Sequence, residues 1–493
     1  MRSPRMAVLA LLVVLLTSCT SAAGNKAGGV DDVVTLRLAN TYSNLTYLPQ
    51  VTSFIDAVEK VSRGGIQMEI HHEWGHFKPG MESAVVQDVG RGDVDLAWVG
   101  TRAFDLLGVS SFQALTAPML VDSHALQAAI LHSDLPGEMI EATDIDGVRP
   151  LTLLAGGLRK PFSVDRPWTS KGDFRGKAFQ AFDSELSAAS IAALGAKPVV
   201  DSPGELDQGL ADGTIDGFEK QLSTVAINGT ERLAPYVAAN VNLWPETLAV
   251  VINADRFDTL TATQQGWLRA AAAQASGGSV AALPDDSAQL AKLCKSGLRA
   301  GSATRPDLAE LRASFAPIYQ DLRADPLTSR ALEEITRLKA TLDDRQTAAL
   351  RVPAGCTGKA PARPSPSPTS RPSGVGQSAE AIEGVYRWEL TAADAEAAGI
   401  QEDMRYPWPH LFTMTLADGR WSHRVRDARQ DAEYGGGPYA VRGNVLDLTW
   451  DDDGSTMSFP FVRDQDGNLI LSPGSNRVDD VFVMTTHPWQ RIG

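Results

Sequence analysis

Cysteine is scarce in this chain: Cys19, Cys294 and Cys356 are all there is in 493 residues. With no C-x-x-C pair, thiol redox motifs and the common cysteine zinc sites are excluded. Basic residues are outnumbered, 45 Lys plus Arg against 60 Asp plus Glu, for a formal charge of −15. A surface that grips phosphate backbones needs clustered Lys and Arg, so nucleic acid is excluded as a partner. There is no Gly-rich Walker loop and no G-x-S-x-G elbow, which removes the usual phosphate cradle and the serine-hydrolase turn. Long apolar runs are missing too. The longest, Met6 to Leu16, falls short of the roughly 20 residues that cross a bilayer core.

What is present is ordinary globular composition, 43% hydrophobic, which excludes wholesale disorder. At about 100–200 residues per domain the length predicts two or three domains. Arg2 and Arg5 precede the Met6–Leu16 run, the n-region and h-region of a secretory signal peptide. The run ends in Leu16-Thr17-Ser18-Cys19, which resembles the lipobox of bacterial lipoproteins. That resemblance implies a lipid on Cys19 and an exported chain held at the outer face of the bacterial cytoplasmic membrane. Cys294 and Cys356 remain. In an oxidising compartment they predict one disulfide, the alternative being two free buried thiols.

Residues 1–19 thus read as signal peptide and 20–32 as a small, polar tether. From 33 to 357 strand-like and helix-like patterns alternate: Val33–Ala39, Ile66–His71 and Val94–Val99 as strands, Leu48–Val61 and Met81–Val89 as helices. That order predicts a mostly parallel sheet with helices on both faces. Thr261–Ala275 and Arg330–Leu342 read as amphipathic helices. Residues 358–381 contain PARPSPSPTSRPSGVGQ, an extended Pro/Ser linker. From 382 to 493 come short runs: Gly384–Leu390, His410–Leu416, Arg420–Val425, Tyr439–Val441, Val445–Trp450, Thr456–Val462, Asn468–Leu471 and Val481–Met484. Asp-Gly and Gly-Gly-Gly turns separate them, the pattern of an antiparallel barrel or sandwich. The Gly384-x-Tyr386-x-Trp388 opening and Val441-Arg442-Gly443-Asn444 resemble lipocalin-like domains.

One run suggests metal chemistry. His72-Glu73-Trp74-Gly75-His76 matches H-E-x-x-H, in which two His one helical turn apart bind zinc beside a glutamate base. It follows an alternating strand, and Gly75 and Pro79 oppose a helix, so a loop is predicted and a zinc enzyme is a remote alternative. Asp451-Asp452-Asp453-Gly454 lacks the further ligands and terminal Glu of a calcium loop and reads as a solvated turn. No catalytic residue, metal ligand or cofactor is assigned.

The positive signal is distributed. Ala39-Asn40-Thr41-Tyr42, Gly90-Arg91-Gly92-Asp93-Val94-Asp95-Leu96-Ala97, Ala117-Pro118-Met119-Leu120, Gly157-Leu158-Arg159-Lys160-Pro161-Phe162, Asp173-Phe174-Arg175-Gly176-Lys177, Leu194-Gly195-Ala196-Lys197-Pro198 and Leu210-Ala211-Asp212-Gly213-Thr214-Ile215-Asp216-Gly217-Phe218-Glu219 resemble, in this order, the DctP-type solute receptors of TRAP transporters. The resemblance implies an α/β fold of two lobes with hinge strands, closing on a small solute, usually an organic acid. It implies membrane permease subunits as partners and no covalent chemistry. A family Arg that clamps the solute carboxylate is expected at the last position of Gly176-Lys177-Ala178-Phe179-Gln180, where this chain has Gln180. Arg159 matches a second family Arg, and Lys220 stands where Asn is usual, so the cation is expected to have moved from position 180 to Lys220. Tyr42, Glu73, Trp74, Trp98 and Trp244 complete the expected ligand-binding set. The alternative for the whole chain is a ligand-binding surface sensor or adaptor whose terminal β-domain engages a partner.

Overall fold

The structure is a computed structural model. It describes residues 33–42, 45, 48–75, 80–200, 206–360, 382–391, 410–426, 431–442, 445–451, 456–463, 467–471 and 489–492. Twelve strands precede the linker: β1 Val34–Ala39, β2 Ile66–His71, β3 Leu96–Gly100, β4 Val148–Leu154, β5 Leu158–Ser163, β6 Ala178–Ala181, β7 Lys197–Val200, β8 Gly217–Lys220, β9 Tyr236–Ala238, β10 Trp244–Pro245, β11 Leu248–Asn253 and β12 Arg299–Gly301. They form two sheets, one in the order β2-β1-β3-β11-β4 and one in the order β12-β9-β5-β8-β6-β7, with β10 on β5.

Both sheets are mostly parallel, as the sequence pattern predicts, each with one reversed strand, β11 in the first and β5 in the second. β1 runs parallel to β2 and β3, but β11 is antiparallel to both β3 and β4. In the second sheet β6, β7 and β8 are parallel and β5 is antiparallel to β8 and β9. The inversions arise where the chain changes sheet. It leaves β4 for β5 through Ala155-Gly156-Gly157, and returns from β10 to β11 through Glu246-Thr247. These two crossings touch backbone to backbone. Glu246 N donates to Gly157 O at 3.0 Å, and a Cβ on Gly156 would lie 1.5 Å from Glu246 O, so only glycine fits there.

Helices clothe the sheets as their apolar spacing dictates. Helix Pro49–Ser62 starts on Pro49, whose missing N–H costs nothing there, and buries Val51, Phe54 and Val58 along one stripe. Beside it lies Ala262–Ala282, opened by a reciprocal Thr261–Gln264 cap. Its Leu268, Ala271, Ala272 and Ala275 join Phe54, Trp98 and Val250 in one core. A larger core, including Val85, Phe104, Phe112, Phe179 and Trp244, spans elements of both sheets.

Cys294 and Cys356 are bonded to each other, 62 residues apart in sequence. Cys356 O also accepts from Ala300 N at 2.8 Å, tying the segment after the last helix to β12.

Beyond the linker, the described strands are β13 Gly384–Leu390, β14 His410–Ala417, β15 Arg420–Arg426, β16 Asp431–Arg442, β17 Val445–Thr449, β18 Thr456–Arg463, β19 Leu469–Leu471 and β20 Gln490–Arg491. Each pairs antiparallel with the next from β13 to β19, and β20 returns to β13. Trp489, directly before β20, exchanges two backbone hydrogen bonds with Leu469 of β19, at 3.0 and 2.7 Å. That exchange closes the sheet, so of the two expected forms the barrel is the one found. Tyr386, Trp388, Phe412, Met414, Trp421, Leu446, Phe459 and Trp489 fill one core. The Gly-Gly-Gly expected to make a turn lies inside β16 instead. The expected Val481–Met484 strand lies outside the described residues.

A Cys294→Ala/Cys356→Ala chain should lose about 4 kcal/mol of stability, the loop-closure entropy of a crosslink of this span. Its denaturant midpoint should fall while far-UV circular dichroism in buffer stays unchanged.

Candidate functional site

The crossings place charged side chains where water is excluded. Glu246 sits on one crossing strand, Arg159 at the start of β5, Glu219 on β8, Arg102 in the turn after β3, and Glu82 in helix Met81–Arg91. None is more than 7% exposed. They join into one chain of ion pairs. Arg102 donates to Glu82 Oε2 at 2.7 Å and to Glu246 Oε1 at 3.4 Å. Arg159 donates through Nη1 to Glu246 Oε2 at 2.5 Å, through Nε to Glu219 Oε2, and through Nη2 to the Glu219 carbonyl at 2.9 Å. Both guanidinium planes also approach the ring of Phe182, at 3.9 and 4.5 Å from its centroid, a favourable cation–π arrangement.

Burial opposes every charge in this chain of pairs. It works against both guanidiniums, yet the facing glutamates more than offset it and hold Arg102 and Arg159 above the ordinary arginine range. Burial raises the carboxyls of Glu82 and Glu219, against the pull of Arg102 and Arg159 respectively. For Glu246 the two guanidiniums win over burial and keep it below the usual glutamate value. Three atoms of this chain of pairs, Glu82 Oε1, Glu219 Oε1 and Arg102 Nε, are buried and have no hydrogen-bond partner.

Tyr42, Trp98 and Arg159, all expected in the site, come together with these groups. Tyr42 lies within the field of Glu246, Glu82, Arg102 and Arg159, and burial raises its hydroxyl pKa. Its ring stacks on Trp98 at 5.4 Å and 8°, and the Trp98 indole donates to Asn40 Oδ1 at 3.2 Å. Trp244 pairs in register with Arg159 and is buried, its indole nitrogen unpartnered; it is a wall residue on a crossing strand. Trp74 donates its indole N–H to Asp88 at 2.7 Å and packs on the larger core. Glu73 lies in the turn after β2 with a left-handed φ of 56°. Residues 72–75 form turns, so no helix holds His72 one turn from a second imidazole; His76 lies outside the described residues.

Gln180 and Lys220 meet on the other side of the second sheet. The register sets Lys220 opposite Lys160 and Gln180 beside Phe218, so Gln180, Phe218 and Lys220 share one face while Arg159 and Glu219 share the opposite one. Gln180 is 1% exposed with Oε1 unpartnered. Lys220 is buried, not turned to solvent. Burial lowers its pKa, and Asp207 is the strongest counter-charge. Among the described residues its ammonium makes no hydrogen bond or ion pair. Both residues stand at the carboxyl ends of parallel strands, the usual crevice of such sheets.

Glu82, Arg102, Phe182 and Glu246 carry the site yet stand outside the expected set. The available signal was weak: single charges within otherwise apolar strand ends, as in Trp98-Val99-Gly100-Thr101-Arg102 and Trp244-Pro245-Glu246.

Removing the shared carboxylate isolates two buried cations, so Glu246→Gln should cost about 3–5 kcal/mol. Because its folded pKa is lowered, the stability Glu246 supplies is fully present above the ordinary value of 4.5 and is lost as pH falls through the folded one. Thermal midpoints of the chain and the variant should therefore differ most near neutrality and converge in acid.

Known proteins match this chain in sequence and in fold. The model of the family described as bacterial extracellular solute-binding protein, family 7, matches residues 40–325, more than half of the chain. The C4-dicarboxylate-binding periplasmic protein DctP of Rhodobacter capsulatus is 24% identical over 221 residues, 45% of this chain and 65% of that protein. Less than two thirds of that relative's length is thus spanned. Among solved structures, a TRAP periplasmic solute-binding protein of Chromohalobacter salexigens with bound D-glucuronate superposes with a TM-score of 0.55 at 18% identity, covering 62% of this chain and 99% of that one. One of Xanthobacter autotrophicus with bound β-D-galacturonate gives 0.55 at 21%, covering 62% and 100%. The sugar-acid-binding protein of Advenella mimigardefordensis with galactonate gives 0.55 at 17%, covering 63% and 98%. These are binding proteins of transport systems, not enzymes, and the family is extracytoplasmic. The two α/β lobes, the paired crossings and the family match agree: this chain belongs to the bacterial extracellular solute-binding proteins of family 7, the TRAP-type solute receptors.

Proposed function

We propose that the chain is a lipid-anchored receptor that captures a small organic acid between its lobes and presents it to membrane permease subunits. The observation that carries this is the buried polar cluster at the two crossings, within the segment that matches the family. A solute enclosed there exchanges water for fixed partners in a low-dielectric site, where each polar contact is stronger. Relatives of the same fold hold glucuronate, galacturonate and galactonate, which supports an acid as the class.

The acid's anchor in this chain is Lys220. Gln180 has replaced the expected Arg and offers an amide without charge. Arg159 has its donors spent on Glu219 and Glu246. Lys220 is the buried cation on the face of Gln180 that has no close counter-ion among the described residues. The lipid anchor is supported by Met6–Leu16 followed by Cys19. The sensor or adaptor reading keeps one support, the barrel, which lies beyond the matched residues 40–325.

A thermal-shift screen of the full chain in detergent, against sugar acids, dicarboxylates and neutral polyols, tests the capture. An acid at 100 times its dissociation constant should add about 2.7 kcal/mol to native stability, and Lys220→Ala should abolish that response. Undiminished binding of the acid by Lys220→Ala overturns the anchor, and silence across the panel overturns capture. For the membrane tether, Cys19→Ala should move the chain from the membrane fraction to the soluble exported fraction.

A further inference from the structure

The two lobes also meet outside the cluster. The helical turn after β3, Thr101–Leu107, belongs to the lobe of the first sheet and carries both Arg102 and Asp105. Facing it is the segment after β6, which carries Phe182 and runs through Ser184 into helix Glu185–Ala193. Ser184 Oγ donates to Asp105 Oδ2 at 2.6 Å, and Leu186 N donates to the same oxygen at 3.4 Å. One carboxylate of the first lobe thus takes two donors from the start of a helix in the second.

Each side of this contact is held in place. Ser184 is the N-cap of its helix, and its Oγ accepts from Ser187 N at 3.1 Å, which leaves its proton for Asp105. A carboxylate is favoured at such a helix start. Phe104, Leu186 and Ile191 flank the contact in sequence and belong to one buried core. Burial raises the Asp105 carboxyl pKa, against hydrogen bonds from Ser184, Leu186 and Gln113. Since burial opposes the charge, the acceptor oxygen is what holds the clasp. The Arg102 guanidinium lies 3.9 Å from the Phe182 ring centroid, so the clasp joins the same two segments that wall the site. Gln180, near the end of β6, lies just before Phe182 on the second of them.

We propose that Asp105 is a positioning residue for capture: by clasping Ser184 and Leu186 it locks the turn after β3 onto the second lobe, and so sets how slowly an enclosed acid leaves. This rests on the reading of the chain as a receptor that encloses an acid between its lobes. The lobes are otherwise joined along the chain by short connections, Ala155-Gly156-Gly157, Glu246-Thr247 and the residues between helices Ala262–Ala282 and Asp286–Lys295. Encounter with the acid comes before the clasp forms, so association is unaffected by it. Release must first break it, and differences of this kind fall on the dissociation rate.

Stopped-flow binding to the full chain in detergent tests this, with D-glucuronate, galactonate and succinate as probes. Asp105→Ala should release the bound acid about tenfold faster at an unchanged association rate, the scale of two hydrogen bonds to one acceptor. Asp105→Asn keeps an acceptor oxygen and should restore slow release. A second measurement needs no variant: a saturating acid should slow hydrogen exchange of the Leu186 amide at least about tenfold, and that of Ile191 within the same helix much less. Equal release from the chain and from Asp105→Ala overturns the inference and leaves capture standing. So does an Asn variant as fast as the Ala one, or a Leu186 amide indifferent to bound acid. No binding of any probe by the unmodified chain overturns capture and the inference together.

Discussion

One carboxylate, shared by two buried guanidiniums where two strands cross, is the interaction on which the lobes depend. Glu246 donates its backbone N–H to one crossing strand and offers its two side-chain oxygens to Arg102 and Arg159. Arg102 reaches back to the first sheet's helix through Glu82, and Arg159 reaches along the second sheet to Glu219. Backbone contact at Gly156 leaves no room for a side chain between the crossings. The bend between sheets and the position of the charges are therefore one constraint. Apolar packing alone would allow the sheets to slide, whereas a fixed fork of donors on a shared acceptor sets direction.

The same arrangement accounts for the donors of Arg159. Arg159, which fits a solute clamp by its sequence context, has become a structural cation, held by its neighbours on β8 and on the crossing strand. Gln180 and Lys220 occupy the reverse face of those strands. The polar groups are thus divided by a sheet into an acidic cluster on one face and the buried Lys220 ammonium on the other.

Much of the fold was legible in local patterns. Ile66–His71 and Gly384–Leu390 alternate cleanly and are strands over those same residues. The helices at Pro49 and Ala262 carry apolar stripes and readable starts. The mostly parallel direction was legible, but the one reversed strand in each sheet was not, because it is decided by where the chain crosses between lobes, and Gly156-Gly157 gives no local sign of it. Gly435-Gly436-Gly437 misled for a related reason: glycine marks close approach as well as turns. In β16 a Cβ on Gly435 would lie 2.3 Å from the Trp450 ring, and one on Gly437 would lie 2.0 Å from Thr449 O. The cluster was the least legible part, since Arg102 and Glu246 are 144 residues apart and neither has a local pattern that announces a partner.

Barrel closure at Leu469 and Trp489 has a consequence for recognition. An open sheet can acquire a partner by extending itself, because the outermost strand offers a ladder of unsatisfied amides and carbonyls. Here the ring of described strands spends those groups on one another. Whatever meets this domain must be read by outward side chains or by connecting loops, features that vary freely while the barrel stays the same. The closed ring thus protects the exported chain from indiscriminate strand exchange and leaves its specificity to be written on the surface.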